Sequence, residues 1–499
     1  MQKRLPIFYS ALLLTGVNLL LRFVGTSFQV YLSGRIGAAG IGLLQLTMSV
    51  SSMAMVAGMA GIRTATMYLT AEKLGKKRPE HITQVLSSCF LYSILCSGTV
   101  AAGLIVFAPQ IARDWIGNAQ ITDALRLAAA LVPVNCLTGV MVGYFTGANR
   151  IATLAAVEVA EQLCSMVATL ALLAFWSGDI PERACQAVIG GSGIGSCLTL
   201  LCLALLRIRE KGQKGAQIPT ARRLLGIAVP LALADDLKTG INTVENLMVP
   251  KRLALCAAVE NPLAAFGMLS GMVFPVLMFP AALLFGLAEL LIPELARCRA
   301  AGSSGRISYL VQRSLRIAMF YGVLFSGWMF LLAKPLCLRL YGNTDAGGTL
   351  QLYALLVPML YCDAITDAMV KGLGQQKASV RYNIITSAMD VALLFVLLPR
   401  YGMQGYFFSF ALTHMVNFLL SIRRLLKISG EAIRLYVPML TAAGALAAGW
   451  AASHLRTPLS MAAAYPVLLV CTLYLLGIIN RQDILWVRSL IRPKKVPGH

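Results

Sequence analysis

Along the chain, apolar runs of roughly 20 to 30 residues alternate with short breaks marked by charges, proline or glycine, the length an α-helix needs to cross about 30 Å of hydrocarbon. This pattern predicts about fourteen transmembrane helices. They fall at 7–32, 39–70, 84–108, 124–147, 151–176, 184–206, 224–250, 262–293, 309–333, 347–370, 378–398, 404–422, 434–453 and 461–479. Helices are the expected form because a single open segment in lipid must satisfy every backbone N–H and C=O internally. The first run is too long for the apolar core of a signal peptide and is expected to stay as an uncleaved helix.

Composition supports this reading. Hydrophobic residues make up 58% of the 499 residues and charged residues only 13%, with a mean hydropathy of +0.73. A soluble domain would carry about 25% charged residues. The fold class expected is therefore an all-α polytopic membrane protein.

The net charge of +22 then takes on a particular meaning. With the N-terminus placed inside, about 30 of the 43 basic residues fall in the inside segments and about 10 in the outside ones, the asymmetry that orients membrane helices. Both termini are expected on the cytoplasmic side of a bacterial cell membrane. The charge is spread over alternate loops with no single basic face, so nucleic acid is excluded as a partner. The 12 cysteines lie mostly within the apolar runs and form no CxxC pair, as expected of small packing residues.

The two halves of the chain repeat at a shift of 225 residues. The tripeptide LVP at 131–133 falls on LVP at 356–358, Gly147 on Gly372, and Gly42 on Gly267. The stretch 61–72 falls on 286–297, while the first helices align at a shift of 217, where Arg35 meets Arg252 and Arg22 meets the neighbour of Lys238. Each copy has an even number of helices, six, so the copies share one topology as a parallel repeat. The expected domains are an N-terminal six-helix lobe (1–206), a basic cytoplasmic linker (207–223), a C-terminal six-helix lobe (224–428), and two extra helices with a basic tail (429–499). Two such lobes leave a seam suited to a central cavity that opens to each side in turn.

Three basic residues remain inside spans: Arg22, Arg63 and Lys238. Each costs about 2.5–3.5 kcal/mol near a helix centre, so a cavity-lining or ion-paired setting is expected. Arg22 and Lys238 sit near mid-span in the first helix of their respective copies, whereas Arg63 lies close enough to a membrane face to snorkel. In the stretch ADDLKTGINTVENLMVPKR, Asp235, Lys238, Asn242, Glu245 and Asn246 recur at i, i+3, i+7, i+10 and i+11. That spacing makes one polar stripe, which must face water or the other lobe. Asp236 falls off it. Further acids lie in spans at Glu158, Glu161, Glu289, Glu294, Asp363, Asp367 and Asp390. Glu161 and Asp390 are the deeper ones and are candidates, with Asp235, for a coupling ion; Glu289 and Glu294 read as solvated near the cytoplasmic end. His414 and the run GGSGIGS (190–196) read as packing features.

The chemistry of other classes is missing from the sequence. It carries no GxxxxGK[ST] motif, no His/Cys cluster for a metal and no large outside loop for a catalytic site. No catalytic residue, metal or cofactor is expected, and the chain is not read as an enzyme.

FYSALLLTGVNLLLRFVGTSFQVYLSGRIG (8–37), GIRTATMYLTAEK (61–73), GYFTGANR (143–150), INTVENLMVPKRL (241–253) and MVFPVLMFPAALLFGLAELLIPELA (272–296) together resemble a known family. It is the stage V sporulation protein B-like branch of the multidrug/oligosaccharidyl-lipid/polysaccharide (MOP) exporter superfamily, related to MurJ-type lipid II flippases. The resemblance implies two six-helix lobes, an extra helix pair, and a polyprenyl-pyrophosphate-linked saccharide as substrate, carried between leaflets by a monomer. In the MurJ-type relatives, arginines of the first two helices line the cavity. Arg22 matches the first of these in the motif R-x-x-G, Phe28 stands where a second arginine would be, and Arg63 is no clear match to the remaining one.

A pyrophosphate crossing lipid needs counter-charge, which Arg22, Arg63 and Lys238 offer, while Asn242, Glu245 and Asn246 offer polar contacts for sugar. Without an ATPase segment, coupling is expected to membrane potential or to a cation, Na+ or H+, at Glu161, Asp235 or Asp390. The rivals are a multidrug/cation antiporter of the same superfamily and a non-transporting scaffold for envelope assembly.

Overall fold

A computed structural model describes residues 7–75, 82–175, 180–208, 221–430, 436–455 and 457–478. Most of the linker 207–223, part of the basic cluster 73–78, and the basic tail beyond 478 lie outside the described residues.

The apolar runs become helices throughout: α1 (Ile7–Met59), α2 (Ile62–Gly75), α3 (Ile82–Gln110), α4 (Thr122–Gly147), α5 (Ile151–Phe175), α6 (Pro181–Ile208), α7 (Ala221–Leu253), α8 (Pro262–Met268), α9 (Phe274–Met278), α10 (Ala281–Ala300), α11 (Ser304–Tyr341), α12 (Thr344–Ala354), α13 (Val357–Gly372), α14 (Gln376–Ser429), α15 (Tyr436–Ser453) and α16 (Pro458–Leu475). Eight are long and apolar enough to cross a membrane, or up to ten when two bent pairs each count as one span. The protein is an all-α, multi-pass membrane protein.

The structure departs from the expected spans at five places. The first two spans join as α1, where the turn between them shrinks to one residue, Gly37 at φ 69° and ψ 179°. Spans eleven and twelve join in the same way as α14, at Gly402 (φ 54°, ψ −132°). Glycine alone takes such angles without steric cost, so a loop reduces to a single residue. The second span, by contrast, breaks inside the apolar run, with Ala60 at φ 41° and Gly61 at φ 70°. The eighth and tenth spans each bend, by 61° and 56°, at a break before α10 and α13 respectively. Pro280 precedes α10 and Pro358 sits in the first turn of α13, each lacking the N–H that would continue the ladder.

Two compact units emerge from the packing. One comprises 1–275 with 387–409, the other 276–386 with 410–499. In the first, Ile62, Leu69, Val85, Cys89, Phe145 and Leu203 close a core among α2, α3, α4 and α6, and Ala228 of α7 joins it. The glycine run of α6 packs closely as expected: a methyl group on Gly191 would lie 2.1 Å from Thr169 Oγ1 of α5, and one on Gly193 2.5 Å from Leu131 of α4. In the second unit, Tyr465 of α16 is fully buried with Ala448, Ala452 and Leu469, and its hydroxyl donates to the Val323 carbonyl of α11. All 12 cysteines are free thiols.

Large apolar side chains face outward along the helices, among them Leu91, Val106, Phe175, Leu446, Trp450 and Leu475. A water-facing surface would not carry so many; lipid accounts for them.

Candidate functional site

The candidate residues all sit on long helices, which explains how a charge is held at membrane depth. Arg22 lies half-buried at the middle of the first arm of α1, between its start and Gly37. Lys238 lies at the middle of α7, with an exposed side chain, and Asp235 and Asn242 on the same helix are exposed as well. A charged group exposed halfway along a membrane helix is not facing hydrocarbon, because the insertion cost is prohibitive beside the available alternatives. Water or a polar ligand must meet it.

The polar stripe of α7 divides in two. Its first part, Asp235, Lys238 and Asn242, is open, and its second part is engaged. Asn246 Nδ2 donates to Ser49 Oγ of α1 at 2.9 Å, and the neighbouring Thr243 hydroxyl lies 3.3 Å from the Ser49 carbonyl. Glu245 stands beside Asp390 of α14, close enough for the two carboxyl groups to interact. Asp390 is only 8% exposed and also accepts from Ser409 Oγ at 2.5 Å. Two neighbouring carboxylates repel each other, so a proton or cation shared by the two groups would stabilise the pair. Both residues come from sequence reasoning, but in separate roles; their meeting is a property of the fold.

Arg63 opens the first turn of α2, directly after the break at Ala60–Gly61, and is exposed. Its charge acts on Glu158 of α5, which also experiences Glu161 one turn later. Glu161 accepts from Ser196 Oγ of α6 at 3.2 Å. Arg63, Glu158 and Glu161 thus form one electrostatic group, distinct from the Glu245–Asp390 pair.

In the second unit, Asp363 Oδ2 accepts from Asn417 Nδ2 at 3.0 Å, while Asp367 pairs with Lys371 at 2.5 Å and accepts from Ser379. Glu294 is held by Arg306 at 2.6 Å and Arg297 at 3.6 Å near the end of α10. His414 packs on Phe410 with ring centroids 4.2 Å apart. Among the described residues no group of three or more His, Cys, Asp or Glu is arranged to hold a metal.

Sequence reasoning missed Ser49, Ser196, Ser409 and Asn417. Serines are common in membrane helices and announce nothing by spacing. Asn417 does stand out within an apolar run, but no partner on its own helix marks it.

With this geometry in place, comparison with known proteins becomes informative. Residues 15–171 match the MatE family model. Stage V sporulation protein B of Bacillus subtilis (strain 168) is 22% identical over 410 residues, covering 79% of this chain and 78% of the relative. Among solved structures, the lipid II flippase MurJ in an inward closed conformation aligns with a TM-score of 0.66 at 13% identity, over 96% of this chain and all of that one.

The chain resembles proteins of the MOP superfamily. An inward-facing multidrug resistance MATE transporter of that superfamily aligns with the same TM-score, 0.66, at 15% identity, over 84% of this chain and all of that one. The superfamily resemblance read from the dispersed motifs therefore holds, and the fold is that of its transporters. Of these, one solved structure is a lipid II flippase and the other a multidrug resistance transporter.

Proposed function

We propose that the chain moves a polyprenyl-pyrophosphate-linked saccharide, lipid II or a polysaccharide repeat unit, from the inner to the outer leaflet by alternating access. The observation that carries this reading is the open run Asp235, Lys238 and Asn242 at the middle of α7, with Arg22 at the corresponding depth of α1. A pyrophosphate carries two or more negative charges and binds cations through short, charge-assisted hydrogen bonds. Lys238, Arg22 and Arg63 supply that counter-charge, and Asn242 supplies an amide for sugar hydroxyls. The polyprenyl tail stays in lipid throughout.

Coupling falls to the Glu245–Asp390 pair. A proton or Na+ held between the two carboxyl groups with Ser409 is lost or gained as the transporter changes state, which makes a cation gradient usable without ATP. This assignment moves Glu245 from sugar contact to coupling and leaves Asn246 as a bridge to Ser49. Both termini face the cytoplasm in this reading, on the strength of the basic-residue asymmetry, and the working unit is a monomer.

The multidrug/cation antiporter reading shares the fold but suits a cationic cargo, which exposed Lys238 and Arg63 would repel. Complementation separates the two: the gene should sustain growth of a bacterium depleted of its own lipid II flippase. Failure to do so, together with efflux of organic cations from cells expressing it, would favour the antiporter.

A further inference from the structure

Asp363 of α13 and Asn417 in the second arm of α14 meet inside the second unit, and their hydrogen bonding is half finished. Asn417 Nδ2 donates to Asp363 Oδ2 at 3.0 Å. The two remaining oxygens, Asp363 Oδ1 and Asn417 Oδ1, are buried and have no hydrogen-bond partner among the described residues, and Asn417 as a whole is only 7% exposed. A buried acceptor without a donor forfeits its hydration and gains nothing in return. Two of them side by side in one residue pair point to a ligand that serves both.

Those two oxygens are the ones that a carboxylic acid and a primary amide use when they pair face to face. Such a pair closes with two parallel hydrogen bonds, from the amide N–H to one acid oxygen and from the acid O–H to the amide oxygen. The first is already in place, and a single proton on Asp363 Oδ1 supplies the second. Charge favours the same answer. Asp363, Asp367 and Lys371 recur at i, i+4 and i+8 along one face of α13, and the charges acting on Asp363 are those of Asp367 and Lys371. Lys371 is bound to Asp367 at 2.5 Å, so one ammonium group stands beside two acids. A second carboxylate in these apolar surroundings, with an amide as its donor, is costly, whereas a neutral acid is not.

The charged groups of the helices packed around α13 are engaged elsewhere or turned outward. On α10, Glu294 is held by Arg297 and Arg306, Arg299 donates to the Leu373 carbonyl, and Glu289 is exposed. On α11, Arg316 donates to the Ile478 carbonyl, and on α14, Arg424 donates to Gln375 Oε1 while His414 lies against Phe410. A hard metal cation gathers about six oxygens, and this site offers two.

We infer that Asp363 and Asn417 form a closed acid–amide pair around one bound proton, a lock between α13 and the second arm of α14 that takes hydrogen ion and not Na+. The proton sits on Asp363 Oδ1 and is donated to Asn417 Oδ1. Its removal leaves a carboxylate oxygen and an amide oxygen, two acceptors, with no hydrogen between them. The lock therefore holds in acid and neutral medium and opens as the medium becomes alkaline. It is a separate site from the Glu245–Asp390 pair and does not depend on the cargo.

Hydrogen–deuterium exchange of the full chain in lipid nanodiscs tests this, with protection corrected for the intrinsic pH dependence of exchange. Between about pH 6 and about pH 9, protection of segments 359–371 and 413–425 should fall at least about tenfold, equally in sodium chloride and choline chloride. Asp363→Asn puts an amide N–H where the acid O–H stood, so it should keep the neutral-pH protection and lose the pH dependence. Parental protection that is flat with pH, alkaline protection restored by Na+, or a pH dependence that Asp363→Asn leaves in place would overturn the inference. Should Asp363→Asn fail to fold, infrared spectra of the parent and of Asn417→Leu read the proton itself. The parent at neutral pH should show a protonated-carboxyl stretching band that Asn417→Leu moves to higher frequency as its hydrogen bond is lost. No such band, or one that Asn417→Leu leaves in place, would also overturn it.

Discussion

Two acid centres in this protein are built on opposite plans. On α13, Asp367 meets Lys371 one helical turn away and a hydroxyl from Ser379, so the carboxylate is neutralised by its own helix. Between α7 and α14, Glu245 stands beside Asp390, which also accepts from Ser409. The first arrangement is complete and gives no reason to change. The second brings two like charges together, and under the proposed coupling role a proton or cation from solution joins them. The contrast shows why position along a helix is a poor guide to coupling and why the identity of the partner is a good one.

Substitutions can break that contrast. The largest effect is expected at the carboxyl pair: Glu245→Gln or Asp390→Asn should slow translocation in reconstituted vesicles at least about tenfold, as loss of a group whose protonation state matters. The sign with pH follows from the pairing. Protons and Na+ would compete for one position between the two carboxyl groups, and protons are scarcer at high pH. Stimulation by Na+ should therefore grow with pH in the parent chain and vanish in Glu245→Gln, read as initial rates across a pH series.

A smaller effect is expected at the bridge between α1 and α7. Asn246→Ala removes the hydrogen bond to Ser49 Oγ, worth about 1 kcal/mol, and should lower thermal stability in detergent while keeping the Na+ response. The smallest should come from Asp367→Asn. Lys371 is more than one third exposed, so the loss is about 0.5 kcal/mol, within the range of solvent-screened pairs. Transport with an unchanged ion response is the expected outcome there; a lost response would erase the distinction between the two centres.

Much of the fold was legible because apolar length is a strong signal and lipid permits few alternatives. The joins at Gly37 and Gly402 were not, since a glycine that turns a chain in one residue looks no different from one that packs. The site was legible where charge stood out against lipid, as at Arg22, Lys238 and Asp390. Spacing correctly placed Asp235, Lys238, Asn242, Glu245 and Asn246 on α7. It could not show that Asn246 and Glu245 are taken up by Ser49 and Asp390 while the other three stay open, because those partners lie 197 and 145 positions away in the chain.

The central claim is that mid-membrane cations meet a lipid-linked anion. Charge reversal at Arg22 and Lys238, with translocation of a fluorescent lipid-linked saccharide measured in vesicles containing the purified protein, tests it most directly. The account predicts that Arg22→Glu and Lys238→Glu each reduce translocation to near the rate of protein-free vesicles while the variants remain folded. Parental rates in both variants would contradict it.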